Sequence, residues 1–511
     1  MTDLKYPRPA FFVVLALFIG LTYWRCVTVS FFQDDWGWLY NFSTNNVYDV
    51  IRSILSFKGK LFYRPLCQLY MFGMYRLFGE NPVPFHIVAL SIHFANSVLV
   101  ALIIRKVTKN DKLAYFSSLF YAVSLSVNLD PLLWMVGSYD LLCAFFFFLS
   151  LVFYLHRKFL LSIIAFACSI LSKESSFMLP VILLSYQLIC RRNFRDGESV
   201  LPGNRGTVVA CSFATIMALS LLPKLVSRIF YFNFPSTHPY VVKFFGAHVL
   251  VNLYAYPAWM LRTFLPFFTI RDHAFQAFVV MVGLCVLWGL KRMFFVKRDT
   301  IAVANVSFLF LWVFFALLPV MLLANHRYAY YSVYALPAFV ALILCVFENA
   351  AKVKIPGKFN GITAFVVIIV AVAAMYQSNE IFRRKLDDCV RHAAIVDEVR
   401  RDLMRYLSRP PKGAVLVFDG VETDLFANEK GPRCWYRDSS IDVYELTQIR
   451  FDGKDIYSLD TMNESDKVTL LSGQYRKRYL EPAKVYVFKF MENGLIQVDI
   501  RNVFPNLAHN F

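Results

Sequence analysis

Charge is scarce in this chain of 511 residues: Asp, Glu, Lys and Arg together make up 17% of it, against about a quarter in an ordinary soluble domain. The ten cysteines form no CxxC pair and no zinc-like cluster, which excludes a zinc ribbon and a cysteine-rich scaffold. A glycine-rich nucleotide loop is missing, and so is any repeat at a fixed period near 34 residues. Acidic residues are the scarcest charge, 35 against 53 Lys and Arg. The deficit is regional, with 15 acidic and 32 basic side chains in residues 1–380 and 20 and 21 in residues 381–511. An excess confined to an apolar region fits the positive-inside rule and argues against nucleic acid as a partner.

What is abundant is hydrophobic: 58% of residues, a mean hydropathy of +0.50 and 52 phenylalanines. The chain therefore reads as a polytopic membrane protein with the lipid bilayer as a partner. The first apolar run, about 10–29, follows Lys5 and Arg8 and ends without a small-residue cleavage site, so a retained span is expected. Further apolar runs fall at about 84–104, 112–128, 139–155, 159–171, 177–190, 207–225, 274–290, 301–320, 328–347 and 360–376. Basic turns at Arg105 to Lys112, His156 to Lys158, Arg191 to Arg205, Lys291 to Arg298 and Lys352 to Lys358 place those connections in the cytoplasm. The stretch 226–273, with four prolines and an apolar middle, reads as an outer loop carrying an embedded helix. The expectation is 11 transmembrane helices, with the N-terminus cytoplasmic.

Between the first two spans, residues 30–82 are too polar for lipid yet rich in aromatics, and short helices over 51–57 and 66–77 are expected at the membrane surface. From about 381 the composition becomes that of a soluble extracytoplasmic α/β domain. A helix is expected over 383–407 and strands over 414–418, 484–490 and 495–500. The expected domains are thus 1–380, transmembrane, and 381–511, soluble. Cys389 and Cys434 can pair as a disulfide if that tail is extracytoplasmic.

This arrangement leaves few acidic residues on the outer face of the membrane part: Asp34, Asp35, Asp49, Glu80, Asp130, Asp140, Glu174 and Asp272. Charge beside lipid is costly unless paired, hydrated or used. The pair Asp34-Asp35, just past the first span and ringed by aromatics, is the candidate for a general base, with Asp34 preferred. Cations returning to the same face are Arg64, Lys173 and Arg327, suited to an anionic lipid phosphate. His86, His93 and Asn96 share one face of the second span. His86, nearest the outer end, is a candidate to touch the acidic pair or a phosphate, and His93 and Asn96 suit bonds between helices. Asp130 is a candidate for substrate, and Asp140 for an ion pair within the bundle.

Several of these residues sit in short motifs: Phe31 to Trp36, Phe62-Tyr63-Arg64-Pro65, Asn81-Pro82 with Phe85-His86, Trp134 with Gly137 to Leu142, Ser172-Lys173-Glu174-Ser175, and His326 followed by Arg327-Tyr328-Ala329-Tyr330. In order and spacing they resemble the polytopic glycosyltransferases of the GT-C type. The closer likeness is to the protein O-mannosyltransferase and aminoarabinose-transferase superfamily and its transmembrane mannosyltransferases with tetratricopeptide repeats. The resemblance covers about residues 10–345. It implies inverting transfer from a polyprenyl-phosphate sugar donor to an extracytoplasmic acceptor, with Asp34 or Asp35 as base. It also implies that Arg64, His86, Asp130, Lys173, Glu174, His326, Arg327 and Tyr328 surround the lipid phosphate and sugar. Two departures stand out. Asn128 and Asp130 replace the usual His and Glu before the tryptophan, and a single small domain replaces the repeats.

A monophosphate leaves readily enough that a divalent cation is optional. The location expected is a bacterial inner membrane. The competing reading is a transporter or flippase for lipid-linked glycans, which would place charge near the membrane midplane and show inverted repeats. Phosphoethanolamine or acyl transfer would ask for a nucleophilic threonine or an intramembrane histidine motif.

Overall fold

The computed structural model describes residues 9–56, 62–190, 209, 211–219, 239–264, 273–291, 300–350, 384 and 386–445, together with the strands beyond them. The chain divides into two compact units that are not contiguous in sequence. One comprises residues 1–27, 54–71 and 83–386; the other comprises 28–53, 72–82 and 387–511.

The first unit is helical. Helix α1 (Pro9–Tyr23) continues as a 3-10 turn to Thr28. Helix α2 (Asp34–Thr44) and helix α3 (Val47–Leu55) lie in the connection that follows, and α4 (Pro65–Phe78) leads to the long α5 (Pro82–Thr108). Proline at the first position suits α5, because the N–H it lacks would have no partner there. Arg105 and Lys106 occupy its last turn, where cations complement the helix dipole. Helix α6 (Asp111–Val123) is capped by Asn110, whose side chain accepts the Leu113 N–H at 3.1 Å. It then bends by 51° into α7 (Leu125–Leu133).

Helix α8 (Ser138–Leu155) and helix α9 (Phe159–Ser172) form a close hairpin. Ser150 and Ser162 each donate to the other's carbonyl at 2.8 Å, and Ser169 donates to the Cys143 carbonyl at 2.9 Å. Small hydroxyl residues let two helices approach and satisfy polar groups where water is absent. Helix α10 (Leu179–Cys190) and helices Ala247–Leu261, Thr300–Met321 and Leu336–Ala350 complete the core, with Trp312 and Phe147 fully buried among them. Helix Ala247–Leu261, in the stretch expected to hold an embedded helix, is fastened by Asn252, whose amide donates to the carbonyls of Met321 and Leu323.

The expectation of 11 transmembrane helices is corrected. Among the described residues four helices are long and apolar enough to cross a membrane: Pro9–Thr28, Pro82–Thr108, Met135–Leu155 and Thr300–Met321. Counting the bent pair α6 and α7 as one span gives five. The apolar runs at 159–171 and 177–190 form helices of only 14 and 12 residues. At 1.5 Å per residue these reach about 21 and 18 Å, short of a hydrocarbon core of about 30 Å. The run 328–347 loses its first third to a 3-10 turn, Ala329–Tyr334. Apolar composition reports burial, and burial inside a helical bundle reads the same as exposure to lipid. The run 360–376 and about half of 207–225 lie outside the described residues.

The second unit combines residues 28–53 and 72–82 with the C-terminal region. Its sheet has the order β2-β1-β7-β8, where β1 is Val415–Asp419, β2 Asp442–Glu445, β7 Val485–Met491 and β8 Gly494–Val498. Strand β1 pairs in parallel with β2 and β7, and β8 closes antiparallel on β7. All but the last residue of β1 are buried, as a strand flanked on both edges requires. Strands β1, β7 and β8 and the helix over 386–406 fall where the sequence pattern places them, whereas β2 has no counterpart in that pattern. A second, antiparallel sheet has the order β4-β3-β5-β6, with β3 Ile449–Phe451, β4 Lys454–Asp455, β5 Val468–Ser472 and β6 Arg476–Tyr479.

Helix α2 packs on helix Lys430–Tyr436 through Trp36 and Trp435, whose rings meet edge to face at 5.4 Å. Arg400 pairs with Glu80 at 2.6 Å. No disulfide joins Cys389 and Cys434. Cys434 is buried with its Sγ 3.5 Å from the Ser43 hydroxyl.

Candidate functional site

The charged side chains singled out in the sequence form two groups, one in each unit. In the helical unit, Lys173 follows the last residue of α9, where the chain turns extended before the 3-10 turn Glu174–Met178. Its carbonyl accepts from Cys143 Sγ and Ser176 Oγ, each at 3.3 Å, so the backbone here is held on two sides. Its ammonium donates to Asp140 at 2.6 Å and lies 5.2 and 5.4 Å from the ring centroids of Tyr330 and Tyr331. Asp140, in the first turn of α8, also accepts from the Tyr334 hydroxyl at 3.4 Å. Both members of the pair are buried.

The adjacent Glu174 receives Arg64 in a two-pronged contact, with Nε donating at 2.9 Å and Nη2 to the other carboxylate oxygen. The Arg64 guanidinium lies 4.3 Å from the Phe62 ring, Phe62 meets Tyr240, and Tyr240 meets His326 at 4.4 Å. Burial, together with the nearby charges of Lys173 and Arg64, pushes the His326 imidazole down to about 4. It is therefore neutral at physiological pH, and its buried Nε2 has no hydrogen-bond partner among the described residues.

The group thus joins Arg64, Lys173, Glu174, Asp140 and His326. Two cations are held by two carboxylates under a roof of tyrosines. Arg327 and Tyr328 are more exposed; Tyr328 stacks on Tyr330 at 5.3 Å, and the Arg327 charge acts on Tyr256. Tyr334 and Tyr240 carry weight here although the sequence reading did not single them out. Tyr334 ends a run of four tyrosines in seven residues, which is a signal, whereas Tyr240 has none.

His86 lies elsewhere in this unit. Its Nδ1 is 3.0 Å from the Leu132 carbonyl, and with Tyr70, Trp134 and Ser138 it lines a cavity of about 10 Å³, room for one water. His93 Nε2 stands 2.8 Å from the Ala122 carbonyl, and Asn96 donates to the Leu141 carbonyl at 3.0 Å. Asn128 donates to the Tyr121 carbonyl. The Asp130 carbonyl takes the Trp134 N–H, and Gly137 passes so close to it that an added Cβ would stand 2.8 Å from that oxygen and 2.7 Å from Pro131 Cα.

In the second unit, Asp34 and Asp35 open α2 and differ sharply. Asp35 is 1% exposed, and its carboxylate accepts the Phe32 N–H at 3.4 Å. Asp34 opens to solvent on its outer side. Partial burial raises its pKa above the ordinary value; Lys430 opposes the shift and Asp424 adds to it. Asp49 accepts from Asn46, Glu80 is paired with Arg400, and Asp272 lies outside the described residues. Among the described residues no three His, Cys, Asp or Glu side chains stand together to hold a metal ion.

No protein-family model matches the chain, and no curated protein matches it. Solved structures that resemble it include two of an archaeal oligosaccharyltransferase. One is a crystal structure of the Archaeoglobus fulgidus oligosaccharyltransferase in complex with Zn and sulfate, with a TM-score of 0.44 and 15% identity over 85% of this chain and 62% of that one. The other is the archaeal oligosaccharyltransferase AglB from Archaeoglobus fulgidus with an inhibitory peptide and a dolichol-phosphate, with a TM-score of 0.45 and 13% identity over 84% and 63%. The chain spans about three fifths of their length. Likeness at this distance carries no weight in assigning the activity.

Proposed function

We propose that the protein is an inverting glycosyltransferase that moves a sugar from a polyprenyl phosphate to a hydroxyl acceptor. The observation that carries this reading is the group of Arg64 and Lys173 beside a neutral His326. Each cation is matched by a carboxylate, so the group is electrically balanced before any ligand arrives. The phosphodiester of the donor can exchange with Glu174 for the Arg64 fork, a geometry suited equally to carboxylate and phosphate. The neutral His326 then offers a donor or acceptor without adding a repulsive charge. The buried Tyr331 and Tyr334 lie on the Lys173 and Asp140 side of the group, where low polarity strengthens the charge interaction.

In the reaction the acceptor oxygen attacks the anomeric carbon. The bond from that carbon to the phosphate oxygen breaks, the electron pair leaves with the phosphate, and the acceptor proton passes to a general base; the carboxylate proposed for that role, on its own surroundings in the second unit, is Asp34. Arg64 and Lys173 bind the charge that the donor phosphate already carries and hold the further charge that grows as the bond breaks. Asp34 suits the base because it reaches solvent and its elevated pKa makes it a better proton acceptor than an ordinary carboxylate.

The test is purified protein in liposomes with a panel of polyprenyl-phosphate sugars and a detergent extract of cell envelope as acceptor source, scored by release of polyprenyl phosphate. Release that falls by at least about tenfold in Arg64→Ala and in Lys173→Met is expected. Absence of release with every donor, together with transbilayer movement of the same lipids, would replace this reading with that of a flippase.

A further inference from the structure

The residue before Asp34 is under strain. Gln33 has φ 51° and ψ −130°, a left-handed backbone that side chains other than glycine avoid. Such a conformation persists only where its surroundings over-determine it, and strain of this kind gathers at working sites. Here the surroundings come from the C-terminal region of the same unit. The Gln33 N–H donates to the Leu425 carbonyl at 2.6 Å.

Leu425 sits in the 3-10 turn Thr423–Phe426, and that turn is itself fixed from three directions. The Thr423 N–H donates to Glu445 Oε1 at 2.8 Å, and the buried Thr423 hydroxyl lies 2.9 Å from the same oxygen and 2.7 Å from Asn428 Oδ1. The Asn428 N–H returns to the Thr423 carbonyl at 2.8 Å, and its side-chain amide donates to Asp424 at 2.8 Å. Glu445 ends β2, so the sheet holds the turn and the turn holds Gln33.

A second contact arrives beside it. The stem of Lys430 lies across Gly37, where an added Cβ would stand 3.3 Å from Cδ and 3.7 Å from Nζ. Glycine at this place lets the lysine reach the first turn of α2. Trp36, the neighbour of the acidic pair, is fixed between Trp435 and the guanidinium of Arg400, 5.4 Å from each.

We propose that the turn Glu422–Asn428 is a positioning device for the Asp34 carboxylate, with Lys430 as its cationic neighbour. The C-terminal region then belongs to the catalytic machinery. This rests on the reading of Asp34 as the base. The charged groups acting on Asp34 are Lys430 and Asp424 from the C-terminal region; on its own helix Asp35 is buried, and Arg400 lies over Trp36. Lys430 favours the ionised carboxylate and Asp424 disfavours it.

The test uses the full-length protein in liposomes. In Thr423→Val, hydrogen exchange at the peptide containing Gln33 should accelerate by at least about tenfold, a measurement that needs no substrate. The kcat for release of polyprenyl phosphate should fall by at least about tenfold, with KM for the donor within about twofold, while Thr423→Ser keeps the hydroxyl and the activity. Lys430→Met should move the acidic limb of the kcat/KM profile to higher pH by about half a unit or more, and Lys430→Arg should leave it in place. If Thr423→Val fails to fold, Glu445→Gln, which keeps an acceptor oxygen but loses the charge, replaces it with the same expectations at smaller size. Unchanged exchange, or faster exchange with full kcat, would overturn the proposal. Full turnover in Asp34→Asn would instead remove the base and leave the exchange result standing, so the two failures can be told apart.

Discussion

Replacing Asp140 by Asn tests whether the buried pair is built as the geometry indicates. The Lys173 ammonium is 2.6 Å from the Asp140 carboxylate, with side chains 8% and 4% exposed. At about 3 Å and an effective dielectric constant near 20, the attraction is about 5 kcal/mol. Much of that offsets the cost of taking both charges out of water. Asp140→Asn keeps the shape but leaves Lys173 buried with only an amide and two tyrosine faces, for which about 3–5 kcal/mol of lost stability is expected. With an unfolding entropy of about 2.1 cal/mol/K per residue across the roughly 350 residues of the helical unit, the melting temperature should fall by about 4–7 °C. The double variant Asp140→Leu with Lys173→Met removes both charges and should recover most of the loss while abolishing donor turnover. Melting in detergent, followed by tryptophan fluorescence, reads both. An Asp140→Asn protein melting within about 1 °C of the parent would show that Lys173 has another counter-charge or is hydrated, and the account of this pair would fail.

Three further outcomes are expected. His326, held at about 4 against an ordinary 6.5, binds fewer protons folded than unfolded between those values. Stability should therefore decline as pH falls from about 6.5 to 4, by order 1–3 kcal/mol after allowance for solvent screening, and His326→Asn should flatten that decline in a pH series of melting curves. Gly137→Ala would force a Cβ to within 2.8 Å of backbone atoms that cannot swing aside, so a loss of about 1–3 kcal/mol is expected; a melting temperature equal to the parent's would show that the turn relaxes. Asp34→Asn should cut turnover by roughly 10²- to 10⁴-fold with little change in melting, whereas Asp35→Asn, buried at the start of α2, should lower melting as well. Equal melting of the two variants would refute the division between them.

The sequence by itself determined that the chain is an apolar helical protein with a polar α/β tail. It also marked the residues that carry its charge. Scarcity makes the latter legible: where acidic residues are few and costly beside lipid, Asp34, Asp140 and Glu174 stand out. The strand over 414–418 was legible because a continuous apolar run before Asp419-Gly420 admits few other conformations. The number of membrane-crossing helices was not, since a run such as 159–171 is as apolar inside a bundle as it would be in lipid, and only its 14-residue length in the fold shows the difference.

Pairing was likewise decided in three dimensions. Nothing in the spacing of Arg64 and Glu174, 110 residues apart, joins them. Nor does the sequence join Gln33 to Leu425, or exchange a disulfide at Cys434 for a contact with Ser43. Asp34 and Asp35 are adjacent and chemically identical in the sequence, yet one faces solvent and the other is sealed beneath Phe32. That distinction arises because successive residues of a helix point about 100° apart, and only the packing of α2 on the C-terminal region decides which direction is the interior.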